Sequence, residues 1–281
     1  MATVALSIAG SDPSGGAGIQ ADLKTFHQFG VYGEAVLTLI TVQNTQRVSR
    51  VEPLHADLVA EQLRAVLDDI PPNAAKIGAL GSIEVVEAVA KLAKSFQFPL
   101  VVDPVMISKH GGRLLPPKGE EVLKHKLLPL AFLVTPNIPE AESLTGMKIR
   151  NEEEMAIAGD RILAFGCHAV LVKGGHLPGE PNDILRWPAS PPLPFLDRSP
   201  YSGSRVPTKH THGTGCTYSA AITAALALGK TLPEAILVSR QYVQNAIETA
   251  PKLGNGMGPV NHFADVAARM NFRQTSCVAA D

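Results

Sequence analysis

The sequence predicts an α/β protein built on a mostly parallel central sheet with helices on both faces. Two observations carry this. Short apolar runs alternate with longer amphipathic segments, the pattern of strands buried on both sides and joined by crossover helices. In addition, three of the runs stop abruptly in polar or glycine signatures, ending at Asp103-Pro104, Thr135-Pro136-Asn137 and Lys173-Gly174-Gly175. In open α/β sheets ligands sit beyond the carboxyl ends of the strands, so Asp103, Asn137 and Lys173 are expected to converge on one crevice. Polar strand ends meeting solvent would look the same one at a time.

In chain order, residues 4–9 read as a first strand and 19–29 as a helix. Residues 35–41 are a strand, 57–67 a helix, 75–78 a short strand and 83–96 a helix. Strands follow at 100–102, 132–134 and 169–172, and two packed helices at 214–228 and 233–249. Residues 177–208, rich in Pro and Ser, suit short edge strands and loops. The weak pattern after Met270 suggests a flexible tail at 271–281, leaving 1–270 as one domain.

Composition narrows the function. The chain has 281 residues, 45% of them hydrophobic, so it needs no disulfide or metal staple. A net charge of -1 and 5% aromatics argue against nucleic acid as a partner. Cys167, Cys216 and Cys277 are widely separated, which suits neither a disulfide framework nor a zinc site. The first apolar run is too short for a signal peptide, and no run is long enough to span a membrane. A cytoplasmic protein is expected. The nine histidines lack metal-ligand spacing and read mostly as surface residues.

Two glycine-bearing turns stand out. Gly10-Ser11-Asp12-Pro13-Ser14-Gly15-Gly16-Ala17-Gly18 follows a strand and opens a helix, which suits a loop packing its backbone against a ligand. It is neither a Walker A loop nor a GxGxxG fingerprint, so a nicotinamide dehydrogenase is disfavoured. An ordinary tight turn fits it too. Thr211-His212-Gly213-Thr214-Gly215-Cys216 leads into a helix of small residues. The free N–H groups and dipole of such a helix start form an anion site that suits a phosphoryl group in transfer. A thiol in that first turn has its pKa lowered, making Cys216 a thiolate near neutral pH and a proton acceptor. A buried, inert cysteine fits the position equally. Lys173 can reach nucleotide phosphates or be a solvated strand-end lysine. Asp103 and Glu140 are candidates for Mg2+, directly or through water.

Together these segments, with Val42-Gln43-Asn44-Thr45, resemble the hydroxymethylpyrimidine and hydroxymethylpyrimidine-phosphate kinases of thiamine biosynthesis, in the ribokinase-like superfamily. The resemblance runs from near residue 4 to near residue 263. It implies a ribokinase-like three-layer α/β/α sandwich and two ATP-dependent steps, phosphorylation of the alcohol and then of its monophosphate. It implies that Gln43 grips the pyrimidine edge, an amide offering both donor and acceptor, with Gly10, Ala17, Ala79 and Val105 around the ring. Gly213, Gly215 and Cys216 would form the anion hole, with Cys216 as base. Lys173, Asp103, Asn137, Thr211 and Gly213 would hold ATP. Asn137 and Glu140 match the superfamily's Asn-x-x-Glu element for Mg2+. A monovalent cation and a homodimer are compatible with the family.

Residues 108–113 would form a flap. Ala79 stands where many members have methionine, which enlarges the pocket. His210 and Met257 replace a usual asparagine and a usual histidine. The nearest rival reading is a pyridoxal kinase of the same lineage. Ser108, at a flap position where such relatives tend to carry a second cysteine, and the retained Gln43 favour the pyrimidine. A non-catalytic pyrimidine sensor is the rival from another class, and the intact transfer residues speak against it.

Overall fold

The structure, a computed structural model, describes residues 2–106, 112–188 and 201–266. The predicted tail, Cys277, Ser108 and most of the predicted flap lie outside the described residues.

Eight strands form one sheet in the order β3-β2-β1-β4-β5-β6-β7-β8. They are β1 (Val4–Ser11), β2 (Tyr32–Gln43), β3 (Val48–Pro53), β4 (Ala74–Ile77), β5 (Leu100–Val102), β6 (Leu133–Val134), β7 (Val170–Val172) and β8 (Ile184–Arg186). The six central strands are parallel, and only the edge strands β3 and β8 run antiparallel to their neighbours. Every residue of β1 but Ser11 is buried, which is why the run is continuously apolar instead of alternating. β2 extends beyond the expected 35–41. Its added ends include the exposed Tyr32 and Val42 and the half-buried Gln43, and β3 pairs with its distal half.

Eight α-helices complete the layers: α1 (Gly18–Gln28), α2 (Ala56–Asp69), α3 (Ile83–Ala93), α4 (Pro117–Val122), α5 (Ile138–Thr145), α6 (Glu152–Leu163), α7 (Thr214–Ala227) and α8 (Leu232–Glu248). Strand side chains alternate between two cores. Leu6, Ile8, Ala75, Ile77 and Val102 meet α2, α3, α5 and α6, while Ala5, Ala74 and Val101 meet α1, α7 and α8. This is the expected three-layer α/β/α sandwich. The sequence pattern marks no helix at α4, α5 or α6.

The helix α7 is buried all round from Thr217 to Leu226. Its alanines and small polar residues let it lie close between the sheet, α1 and α8. Its first turn is thereby fixed over the middle of the sheet. The strand order reverses between β1 and β4, the switch point at which open α/β sheets bind ligands. No helix among the described residues is long and apolar enough to cross a membrane.

Candidate active site

Beyond the carboxyl ends of the parallel strands lies a cavity of about 720 Å3. Gly10, Ala17, Gln43, Ala79, Asp103, Val105, Asn137, Glu140, Lys173, Thr211, Gly213, Gly215 and Cys216 all line it. The structure thus brings every sequence-predicted site residue to one place. β1 and the loop after it deliver Gly10 and Ala17, the end of β2 delivers Gln43, and the ends of β4, β5 and β7 deliver Ala79, Asp103 and Lys173.

At its centre, Lys173 Nζ donates to Asp103 Oδ1 at 2.8 Å, and Thr135 and Ser219 hydroxyls donate to the same carboxylate at 3.2 and 3.3 Å. Burial pushes the Lys173 ammonium down, but the charges of Asp103 and Glu140 more than offset this and raise it. It stays charged. Asp103, with both oxygens engaged, serves as the anchor of Lys173.

A proline at its second position and a capping box start α5. Asn137 Oδ1 accepts the Glu140 N–H at 2.9 Å, and Glu140 Oε2 accepts the Asn137 N–H at 2.8 Å. The box fixes Glu140 facing Lys173. Burial raises its carboxyl to about 8, with Asp103 adding to the rise and Lys173 opposing it. A buried carboxyl that holds its proton near neutrality suits a site awaiting a cation. No cluster of three or more carboxylate, imidazole or thiol ligands exists among the described residues. Mg2+ usually takes one or two protein carboxylates beside water and phosphate oxygens, and Glu140 is a carboxylate of that kind on the cavity wall.

The two glycine turns behave differently. In the first, Asp12 folds back under its own loop. Its carboxylate accepts N–H groups of Ser14, Gly16 and Ala17 at 2.8, 3.2 and 2.9 Å, and the Ser14 hydroxyl at 2.7 Å. His212 Nε2 lies 2.7 Å from the same carboxylate and clips the loop to the start of α7. Burial pushes Asp12 up, but the bonds from His212 and Ser14 and the His212 charge hold it at about 2. Three of the loop's N–H groups therefore face an internal anion, while Gly10, Ala17 and Gly18 line the cavity. Gly18, at φ +57, is required because a Cβ would overlap the Gly10 carbonyl.

In the second turn, Gly213 caps α7 in the left-handed region at φ 77, and a Cβ there would overlap the Gly16 carbonyl. No side chain caps α7, so its first N–H groups lack the usual acceptor. The open face at Gly215 looks toward Lys173 Nζ and Asp103 Oδ2, which stand 3.4 and 3.8 Å from where a Cβ would lie. Cys216 opens on the same cavity. Its expected low pKa is reversed. Loss of water raises the thiol to about 11, outweighing the lowering by Lys76 and the Gly18 N–H, while Asp22 and Asp103 add to the rise. The resting group is a thiol. Burial raises the Cys167 thiol to about 11, outweighing the lowering by a backbone hydrogen bond.

Sequence reasoning missed three features. One is the Asp12–His212 clip. Five of the eight described histidines are exposed as expected, but His210, His212 and His262 are buried. The second is Lys76, fully buried and paired with Asp22 at 2.8 Å. A lysine inside the apolar strand Ala74–Ile77 was the available signal. The third is an apolar part of the cavity wall, to which Val206, Val243 and Ile247 contribute. Edge loop and α8 meet there only in three dimensions.

A parallel sheet of this order, with a cation and a helix N-terminus meeting beyond its carboxyl ends, defines a ribokinase-like small-molecule kinase. The family model for phosphomethylpyrimidine kinase matches residues 12–261, and the chain belongs to that family. The hydroxymethylpyrimidine/phosphomethylpyrimidine kinase of Rhizobium meliloti (strain 1021) is 47% identical over 94% of this chain and 98% of its own length. The crystal structure of phosphomethylpyrimidine kinase from Clostridium difficile 630 is 46% identical, with a TM-score of 0.75 over 87% of this chain and 99% of that one. An ADP complex of Bacillus subtilis pyridoxal kinase is 37% identical, with a TM-score of 0.85 over 94% and 98% of the two chains.

Proposed function

We propose that the chain transfers the γ-phosphoryl group of ATP to the hydroxymethyl group of 4-amino-5-hydroxymethyl-2-methylpyrimidine, and then a second group to the monophosphate. The observation that carries this is the convergence of Gln43, Lys173 and the uncapped start of α7 on one cavity. The Gln43 side-chain amide is left to that cavity among the described residues, so its donor and acceptor are available to an aminopyrimidine edge. Gly10, Ala17, Ala79 and Val105 flank the ring.

The apolar wall of Val206, Val243 and Ile247 takes the adenine. Lys173, with Asn137 and Thr211 near it, holds the phosphates. Asp103 aims Lys173. The N–H groups at Gly213, Gly215 and Cys216 receive the γ-phosphoryl oxygens, where charge is carried in a loose transition state. Cys216 accepts the substrate proton from its minor thiolate form, a modest demand in such a transition state. Glu140 is the side chain for Mg2+, which neutralises phosphate charge when bound. Residues 1–270 act as one kinase domain in the cytoplasm; a homodimer and a bound monovalent cation are compatible with this reading.

The test is ADP release with Mg-ATP, comparing the pyrimidine alcohol, its monophosphate and pyridoxal. Turnover of both pyrimidines is expected. Preference for pyridoxal would replace the substrate, and turnover of none would favour a sensor.

A further inference from the structure

Beneath the first turn of α7 the sheet carries a charged group in its most enclosed layer. Lys76 Nζ donates to both carboxylate oxygens of Asp22 at 2.8 Å, and Asp22 accepts the Ser7 hydroxyl at 2.6 Å. All three residues have zero exposure. A buried ion pair stabilises a fold little more than an apolar pair of the same volume, so stability alone gives a poor reason for it. Its position gives a better one. β4 ends in the cavity floor at Gly78, where a Cβ would lie 3.4 Å from Lys76 Nζ. Cys216 lines the same cavity, and α7 packs on β1 and β4.

Four elements present charges toward the Cys216 thiol: Lys76 from β4, Asp22 from α1, Asp103 after β5 and Lys173 after β7. Burial has the largest effect on the thiol. Among the charges Lys76 comes first, and it lowers the thiol pKa, whereas Asp22 and Asp103 raise it. Burial pushes both Lys76 and Asp22 toward their neutral forms, yet Lys76 is held above its ordinary value by Asp22, Cys216 and Asp103. With two carboxylate oxygens at 2.8 Å, its ammonium stays charged.

We propose that Lys76 is a positioning residue for the transfer step: held by Asp22 and Ser7, it stabilises negative charge on Cys216 Sγ. The proposal rests on Cys216 being the proton acceptor. The thiol first loses its proton to solvent. The thiolate then takes the hydroxyl proton as the substrate oxygen bonds to the γ-phosphorus. The bond from that phosphorus to the bridging oxygen breaks, and its electron pair leaves on ADP.

The experiment follows iodoacetamide alkylation of Cys216 on its own peptide by mass spectrometry, between pH 8 and 9.5. Below the thiol pKa the rate tracks the thiolate fraction, so a thiol that is harder to ionise reacts in proportion more slowly. Lys76→Met is expected to slow alkylation about tenfold and to lower kcat similarly with KM unchanged, and Lys76→Arg to restore both. Lys76→Met strands Asp22, so Lys76→Met with Asp22→Leu provides a folded apolar replacement; because Asp22 opposes Lys76 at the thiol, its removal offsets part of the effect, and a slowing of about threefold is expected. Wild-type alkylation in that folded double variant overturns the role of Lys76. Wild-type turnover in Cys216→Ala overturns instead the reading on which it rests.

Discussion

The loop at residues 10–18 and the turn at residues 211–216 look alike in sequence, yet they do opposite things. Both are rich in glycine, and both open a helix. The first wraps its Ser14, Gly16 and Ala17 N–H groups around Asp12. The second leaves the start of α7 uncapped and aimed at Lys173. The difference is one internal carboxylate. A glycine-rich turn that contains its own anion is already satisfied, and becomes a rigid wall. A turn that contains none is a place for a ligand's anion. His212 belongs to the second turn and clips the first, so the wall positions the anion site.

Breaking the second turn should have the largest effect on activity. Cys216→Ala is expected to lower kcat by ~10²–10⁴ if the thiol takes the substrate proton, read by steady-state ADP release. Near-normal turnover would leave the backbone N–H groups as the main device. In wild type, kcat should climb with pH from 7 toward 10, because the reactive thiolate is a minor form below about 11.

Breaking the first turn should act on stability. Asp12→Ala removes the partner of three N–H groups and His212, and should cost about 3–5 kcal/mol in urea unfolding at neutral pH. The Asp12 carboxyl is held below its ordinary 3.8 at about 2, so its contribution is fully present above 3.8 and disappears as pH falls through 2. The deficit of the variant should shrink over that window. A deficit independent of pH would contradict the ion-pair origin.

Smaller effects sharpen the two ends of the cavity. Gln43→Ala should raise KM for the pyrimidine about tenfold, the cost of about one good hydrogen bond, with little change in KM for ATP. Unchanged pyrimidine KM would remove Gln43 from the ring site. Glu140, raised from 4.5 to about 8, keeps a proton in the folded protein that the unfolded chain loses above 4.5. Its burial therefore weakens the fold as pH rises from 4.5 to 8. A bound cation displaces that proton, so Mg2+ affinity should increase with pH up to about 8. Calorimetry in two buffers of different ionisation heat should show proton release near pH 7.

Much of this was legible in sequence because it is local. β1, β4 and β5 are apolar runs with clear ends, and the cavity residues sit at those ends. What was not legible depends on partners distant in sequence. Asp12 and His212 are 200 residues apart, and Lys76 and Asp22 are 54 apart. The thiol of Cys216 was misread for the same reason. The helix start that lowers its pKa is local, whereas the burial that raises it, and the charges of Asp22 on α1 and Asp103 after β5 that add to the rise, are set by packing between parts of the chain distant in sequence. β3 escaped because it is an edge strand whose short, partly polar sequence lacks the double-sided burial that marks the others, whereas β8 falls in the 177–208 stretch expected to carry short edge strands.

The central claim, that the start of α7 receives the phosphoryl group, is tested most directly by Gly215→Ala. A methyl group there would stand 3.4 Å from Lys173 Nζ, an ordinary contact. The fold should tolerate it, and the helix gains roughly 1 kcal/mol from alanine over glycine. The methyl would nonetheless fill the space for the γ-phosphoryl oxygens, so kcat should fall by about 10² or more with Tm unchanged or higher. Wild-type kcat in a stable Gly215→Ala protein would contradict the account and place phosphoryl transfer elsewhere in the cavity.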